Sequence, residues 1–357
     1  MKLISIYILL FVAQNSFAAL PPTYREGQMT FSANTEYFST TANYDRFSNK
    51  LTLPFGQKYQ NITTTIDGKF DLPENFVIGG GINMAYARST GEDLFISLPA
   101  TKNRTNSEIS DGHAFAQYFL DYGRFRLVPE LKGALAFKRI NLNDNLNDSV
   151  LTNDYADSLQ AGSWAIINLG QLRGYGYLGF LYQDDDRAND MTWQAGLLWR
   201  SHHFLLAGSF DGYQPVINDK QTLNYPRENR TFFVDGQSFR YYATNPALTE
   251  LRLTAGLAFE NNIQITAGWG TTLLGTETAQ GQTLFAGLSF GVDMAGGPGA
   301  NFEHKKHKHM APATGSHEDS GTRKGHRKGG DGEKTRDKDE GGDFQPDIEE
   351  YDESLFD

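Results

Sequence analysis

Residues Leu251–Leu273, LRLTAGLAFENNIQITAGWGTTL, alternate apolar and small or polar positions on both sides of one turn. Leu251, Leu253, Ala255, Leu257 and Phe259 stand against Arg252, Thr254, Gly256, Ala258 and Glu260. After Asn261-Asn262, Ile263, Ile265, Ala267 and Trp269 stand against Gln264, Thr266, Gly268 and Gly270. Period two around a two-residue Asn turn predicts a β-hairpin. Its strands, at about ten residues, exceed the five or six typical of soluble domains. One face is continuously apolar and the other small and polar. This is the pattern of strands that turn apolar side chains to lipid and polar ones to a lumen.

The pattern recurs along the chain. Further alternating segments occur at 29–39, 60–72, 76–87, 112–122, 125–138, 157–169, 172–183, 191–200, 203–212 and 282–293, which with the hairpin makes twelve expected strands. Tight turns at Pro73–Asn75, Gly123-Arg124, Gly170-Gln171, Ser201-His202 and Asn261-Asn262 alternate with longer links at 40–59, 88–111, 139–156, 184–190, 213–248 and 274–281. Sorting of connections by length is a property of transmembrane barrels, with short periplasmic turns and longer outer loops. The expected fold is therefore all-β, a transmembrane antiparallel up-and-down barrel over residues 19–294. An even strand number puts both barrel ends on the periplasmic side. Thr231–Ala243 is open as an additional strand.

The flanking segments change the picture in two ways. Met1–Ala18 has one charge, Lys2, an apolar stretch Leu3–Val12 and small residues at Ser16 and Ala18. That predicts a cleaved secretory signal, too short to span a bilayer as a helix. From 295 to 357 the alternation stops and aliphatic residues nearly vanish, a composition that does not offset chain entropy by burial. This predicted disordered periplasmic tail has a basic block, 304–328, with five of the eight histidines, and an acidic block, 329–357, with twelve acids against three bases. It reads as a solvated appendage, or as a docking peptide in which Phe344, Ile348, Tyr351 and Phe356 fold onto a basic partner. His304, His307 and His309 are weak metal candidates, since imidazole suits Zn, Cu or Ni but the neighbouring lysines repel cations.

Composition fits a barrel. Gly is abundant (37), as are Tyr (17) and Phe (25), and there is no Cys, so stability outside the cytoplasm does not come from disulfides. A net charge of −11 excludes nucleic-acid binding by electrostatics.

The last strand carries a resemblance. In Phe285–Val292, FAGLSFGV, Gly287 is followed three residues on by Phe290 and then by Val292. This resembles the signal read by the barrel-assembly machinery, and the chain over residues 19–293 resembles a Gram-negative outer-membrane β-barrel protein. Phe285 departs from the usual polar residue, and the chain continues for more than sixty residues beyond the strand. The resemblance implies residence in the outer membrane, in contact with lipid and lipopolysaccharide.

Chemistry is sparse. Ser110, Asp111 and His113 form the one local Ser/Asp/His grouping, placed at the outer end of the fourth strand. Asp184, Asp185, Asp186 and Asp190 form an acidic loop that reads as solvated or as a weak divalent-ion site. No nucleophile elbow, phosphate loop or zinc signature occurs, and nothing calls for a cofactor or an enzyme. The lumen-facing charges are more informative: Glu36, Asp67, Lys69, Asp71, Asp121, Arg126, Glu130, Lys132, Lys138, Arg173, Arg200, Asp211, Arg252 and Glu260. Arg126, Lys132 and Lys138 on one strand, with Arg173, form a candidate cationic ladder for anionic solutes. Alternatively, acids opposite them pair and fill the interior. A twelve-stranded barrel lies between roughly eight-stranded filled ones and the open 16- to 18-stranded porins. The expected function is a passive or narrow substrate-preferring channel for small polar solutes. The alternatives are a structural anchor whose tail docks an envelope complex and, more distantly, an outer-membrane hydrolase.

Overall fold

The computed structural model describes residues 20–53, 56–90, 104–138, 150–152, 156–184, 187–219, 238, 240–241, 245–259 and 262–294. Fourteen strands form one sheet, of which Lys50–Thr52 and Leu120–Tyr122 are three-residue pieces. The other twelve are β1 (Gln28–Tyr44), β2 (Lys58–Leu72), β3 (Phe76–Thr90), β4 (Arg104–Tyr118), β5 (Phe125–Ala136), β6 (Ser158–Leu169), β7 (Leu172–Gln183), β8 (Asn189–Arg200), β9 (Phe204–Ile217), β10 (Ala247–Ala258), β11 (Ile263–Thr276) and β12 (Thr278–Asp293). Each pairs antiparallel with its chain neighbours, and β1 pairs with β12 from Gln28↔Asp293 to Tyr44↔Thr278. The sheet closes on itself, so that none of the twelve long strands is an edge strand.

Period two decides which side chains face out. Leu253, Leu257, Ile265, Leu284, Leu288 and Phe290 are all exposed on the outer surface. Phe76, Tyr122, Phe125, Trp199 and Phe204 are exposed near the tight turns, and Tyr86, Phe137 and Tyr182 near the long links. An outward apolar band bounded by aromatics is the surface a bilayer requires. The chain is thus an outer-membrane-type β-barrel, as the alternation predicts.

Several strand ends differ from expectation. β4 begins at Arg104 rather than at Gly112, because a bulge between Asn83↔Asp111 and Met84↔Ile109 absorbs Ser110 and restores the alternation. The link expected at 274–281 shrinks to Glu277, which turns with φ 46° between β11 and β12. The sorting by length therefore fails at that link. The first link is partly structured: Lys50–Thr52 pairs with Ala42–Tyr44, and Asp45 Oδ1 accepts from the backbone N–H groups of Phe47 and Asn49.

The lumen face is not uniformly small and polar. Val77, Val128, Trp164, Ile166, Tyr175, Leu198 and Leu205 point inward and form a buried cluster with Phe119. Leu20, Tyr24 and Phe115 cover it. Residues 20–25, ahead of β1, lie across the turn end of the barrel. Tyr24 Oη donates to the Leu72 carbonyl (2.7 Å) and its ring lies 5.4 Å from that of Phe119. The Arg25 backbone N–H donates to Asp71 Oδ2 (2.8 Å).

The outward orientation of β10 gives a direct test. Leu253→Arg, near the middle of the strand, is expected to destabilise the barrel by about 2–4 kcal/mol, and Leu257→Arg, near the turn, by about 1 kcal/mol or less. Urea unfolding in lipid vesicles reads both; equal losses at the two positions would contradict the membrane placement.

Candidate functional site

Three layers occupy the lumen. At the long-link end, Phe38, Tyr59, Ala87, Val150 and Ala279 form a second buried cluster against which Tyr241 packs. Val150–Thr152 and Arg240-Tyr241 come from the two longest links, so both links send residues inward. Tyr59 Oη donates to the Leu151 carbonyl (2.7 Å), and Asn106 Nδ2 to that of Val150 (2.9 Å). Thus part of the link between β9 and β10, which carries Ser238, Arg240 and Tyr241, enters the barrel.

The middle layer is ionic. Arg252, on β10, is 4% exposed and holds Glu36 of β1 at 3.1 Å, Asp211 of β9 at 3.3 Å and Glu250 of its own strand at 3.4 Å. Arg240 reaches Glu36 from the link (3.4 Å) and lies over the Phe38 ring at 4.1 Å. Phe285, inward on β12, lies 5.7 Å from the Arg252 guanidinium. The ring needs a neighbour without a side chain: a Cβ on Gly268 would sit 2.2 Å from it. Glu250 shares the parity of Arg252, and that signal alone places it inside.

The third layer is a cavity of about 360 Å³ between this ionic layer and the turn end. Its two walls differ. Phe115, Trp164, Tyr177, Leu198 and Leu205 make one wall apolar and aromatic, whereas Thr30, Ser32, Asn34, Gln264, Thr266 and Ser289 give the other hydroxyls and amides. Leu20–Thr23 contribute to the lining. Four cations, Lys69, Lys132, Arg173 and Arg200, and two acids, Asp67 and Glu130, complete it. Lys69 is engaged by Asp71 (3.1 Å) and by the Thr23 carbonyl (2.6 Å). Glu130 accepts from Gln117 Nε2, and Asp67 Oδ1 lies 2.6 Å from His113 Nε2.

The sequence-selected residues are thus divided among different places. Lys132, Arg173, Arg200 and Glu130 meet in the cavity, whereas Arg252 belongs to the ionic layer. The cationic ladder on β5 is interrupted. Arg126 pairs with Asp121 at the turn rim, and Lys138 stands exposed at the opposite rim, 3.6 Å from Glu108. Glu260 and the tail residues His304, His307 and His309 lie outside the described residues. The lead 20–25, Glu250 and the inner apolar wall are features that sequence reasoning missed. Alternation with apolar residues on both faces, as in GYGYLGFLY of β7, is the trace the wall leaves.

The Ser110, Asp111 and His113 grouping does not sit at the strand end. His113 is buried in the lumen, in mid-strand of the extended β4. Ser110 Oγ donates to Asp111 Oδ2 (2.7 Å), and Asn83 Nδ2 donates to Asp111 Oδ1 (2.7 Å). His113 turns to Asp67 instead. A nucleophile must hand its proton to the base, and here Ser110 bonds the acid, so the nucleophile–base–acid order is not met. Among the described residues no group of His, Asp and Glu is arranged to hold a metal.

No protein-family model matches the sequence, and no curated protein matches it either. Solved structures do. An outer-membrane channel from Pseudomonas putida F1 is 13% identical, with a TM-score of 0.54 over 79% of this chain and 100% of that one. The NanC porin (9% identical, 0.42, 73% and 98%) and the KdgM porin (6%, 0.40, 72% and 98%) are more distant and carry no argument. The first shows a shared barrel fold, and the chain has that fold.

The ionic layer generates a stability prediction. Arg252→Met leaves three carboxylates facing one another without their shared partner and is expected to cost about 3–5 kcal/mol, as when one side of a buried ion pair is removed. The double variant Arg252→Met with Glu36→Gln should recover part of that loss. Denaturant midpoints of the refolded barrel measure both; a neutral Arg252→Met would show the layer to be hydrated and weakly coupled.

Proposed function

We propose that the chain is a passive or narrow, substrate-preferring channel for small polar solutes. The observation that carries this reading is the cavity: a closed barrel with an apolar exterior encloses about 360 Å³ lined by charged, amide and hydroxyl groups. A purely structural anchor would gain by packing that volume, since buried polar groups without partners are costly. Three constrictions bound the path: the inserted link residues, the ionic layer and the 20–25 lead. A narrow, selective conductance follows from them rather than the wide pore of a larger barrel.

In this reading residues 1–18 are a cleaved signal and 19–294 the membrane barrel. The tight-turn end faces the periplasm, with both barrel ends and the 295–357 tail on that side. Phe285–Val292 is the segment presented to the assembly machinery. Lipid and lipopolysaccharide are the surroundings of the apolar band. The chain has no enzymatic role in this reading, because the residues that would supply a nucleophile and its base are committed elsewhere.

The test is a planar-bilayer recording of the refolded mature chain. Small discrete conductance steps are expected. Removing residues 20–24, of which Leu20–Thr23 line the cavity, should open the turn end and raise the unit conductance several-fold. A barrel that stays silent in both forms would overturn the channel reading.

A further inference from the structure

The cavity has donors without acceptors. Arg200 Nε is buried and makes no hydrogen bond, and Arg200 forms no ion pair among the described residues. Trp164, 8% exposed, likewise has an Nε1–H without a partner. Both groups donate only, and burying them unpaired costs about 1–3 kcal/mol each, more for the charged one. Lys132 also lines the cavity and forms no ion pair among the described residues. Of the two acids of the lining, Glu130 accepts from Gln117, whereas Asp67 Oδ1 lies 2.6 Å from His113 Nε2 but, like Gln160 Oε1, accepts no hydrogen bond of good geometry. The lining therefore holds two cations, Arg200 and Lys132, without an ion pair among the described residues, against two acids of which one, Asp67, lies beside a histidine and the other, Glu130, accepts from an amide. Its apolar wall, Phe115, Trp164, Tyr177, Leu198 and Leu205, gains nothing from a bare inorganic ion, which is hydrated on every side, and suits a solute with an apolar body.

We propose that this cavity is a binding site for a small organic monocarboxylate with a compact apolar body. The carboxylate is met by Arg200, Lys132 and the Trp164 N–H, and the body lies on the Phe115–Tyr177 wall. Guanidinium and indole N–H bonds to a carboxylate satisfy the orphaned donors together, and removal of the apolar body from water adds to the affinity. The hydroxyl and amide wall stays wetted and leaves a route past the bound solute. The proposal deepens the channel reading by naming its solute class, but occupancy of the site does not itself require conduction.

The barrel carries a probe of its own. Of its four tryptophans, Trp164 alone faces the lumen, while Trp193, Trp199 and Trp269 occupy outward positions of β8 and β11. With those three changed to Phe in the otherwise full mature chain, refolded in detergent micelles, benzoate should alter Trp164 fluorescence saturably. Benzamide, which keeps the ring without the charge, and acetate, which keeps the charge without the ring, should each bind at least tenfold more weakly. Arg200→Met and Lys132→Met should each weaken benzoate at least tenfold, with Arg200→Lys intermediate. Heat-modifiable gel migration shows which variants are folded, and Lys132→Met decides the matter if Arg200→Met is not. Equal responses to benzoate and benzamide, or benzoate binding unchanged in the folded variants, would overturn the proposal. Benzoate binding without bilayer conductance would sink the channel reading and leave the site. Conductance without benzoate binding would do the reverse.

Discussion

Inside hydrocarbon a peptide N–H or C=O has no water to bond, and each one left unpaired costs several kcal/mol. The pairing of β1 with β12 meets that constraint for the whole sheet. Once these strands zip from Gln28↔Asp293 to Tyr44↔Thr278, every strand has two neighbours, and alternation fixes one face to lipid and one to the lumen. The bulge at Ser110 shows how strictly this acts. One extra residue would invert every side chain beyond it, and the chain absorbs it locally so that Glu108 and His113 both still face inward.

Closure also creates the interior problem that the rest of the chain solves. Twelve strands enclose more space than one layer of side chains fills, so material enters from both ends. The lead at 20–25 covers the apolar wall at the turn end, while Val150–Thr152, Arg240 and Tyr241 enter at the other. Between them the Arg252 layer ties β1, β9 and β10 across the lumen. Such a layer is not strong evidence for stability in itself, since desolvation offsets much of its Coulombic gain. Its geometric consequence is firmer: it sets a charged ceiling over the cavity while the lead sets the floor.

The fold was legible because its signal is carried many times over by a period of two, and because a lipid-facing strand does not tolerate a charge. The same rule identified Arg252, Arg173, Arg200 and Lys132 as inward. What period two cannot convey is depth and partner. Lys138 and Arg126 share the parity of Lys132, yet one ends at each rim, because strand position rather than parity decides depth. Nor does alternation reveal that the inner wall of β5–β9 is apolar. In Leu172–Gln183 both faces are hydrophobic, and only the arrival of Leu20 and Tyr24, distant in sequence, distinguishes a covered wall from a wet one. The Ser110–Asp111–His113 grouping misled for a related reason: neighbours in sequence point to different partners once a bulge intervenes.

The division of charges within the cavity follows from the same geometry. On an inward face a side chain finds a partner two residues along its own strand or across to the next. Lys69 has Asp71 two residues away, and Glu130 has Gln117 directly opposite in the β4–β5 register. Arg200, the last residue of β8, has Leu198 two residues back and Leu205 opposite, so neither direction offers a carboxylate. Trp164 faces Val128 on one side and Tyr177 on the other. Register thus gives Arg200 no carboxylate among its nearest lumen-facing neighbours. A solute in the cavity can supply Arg200 with the anion that its register neighbours do not.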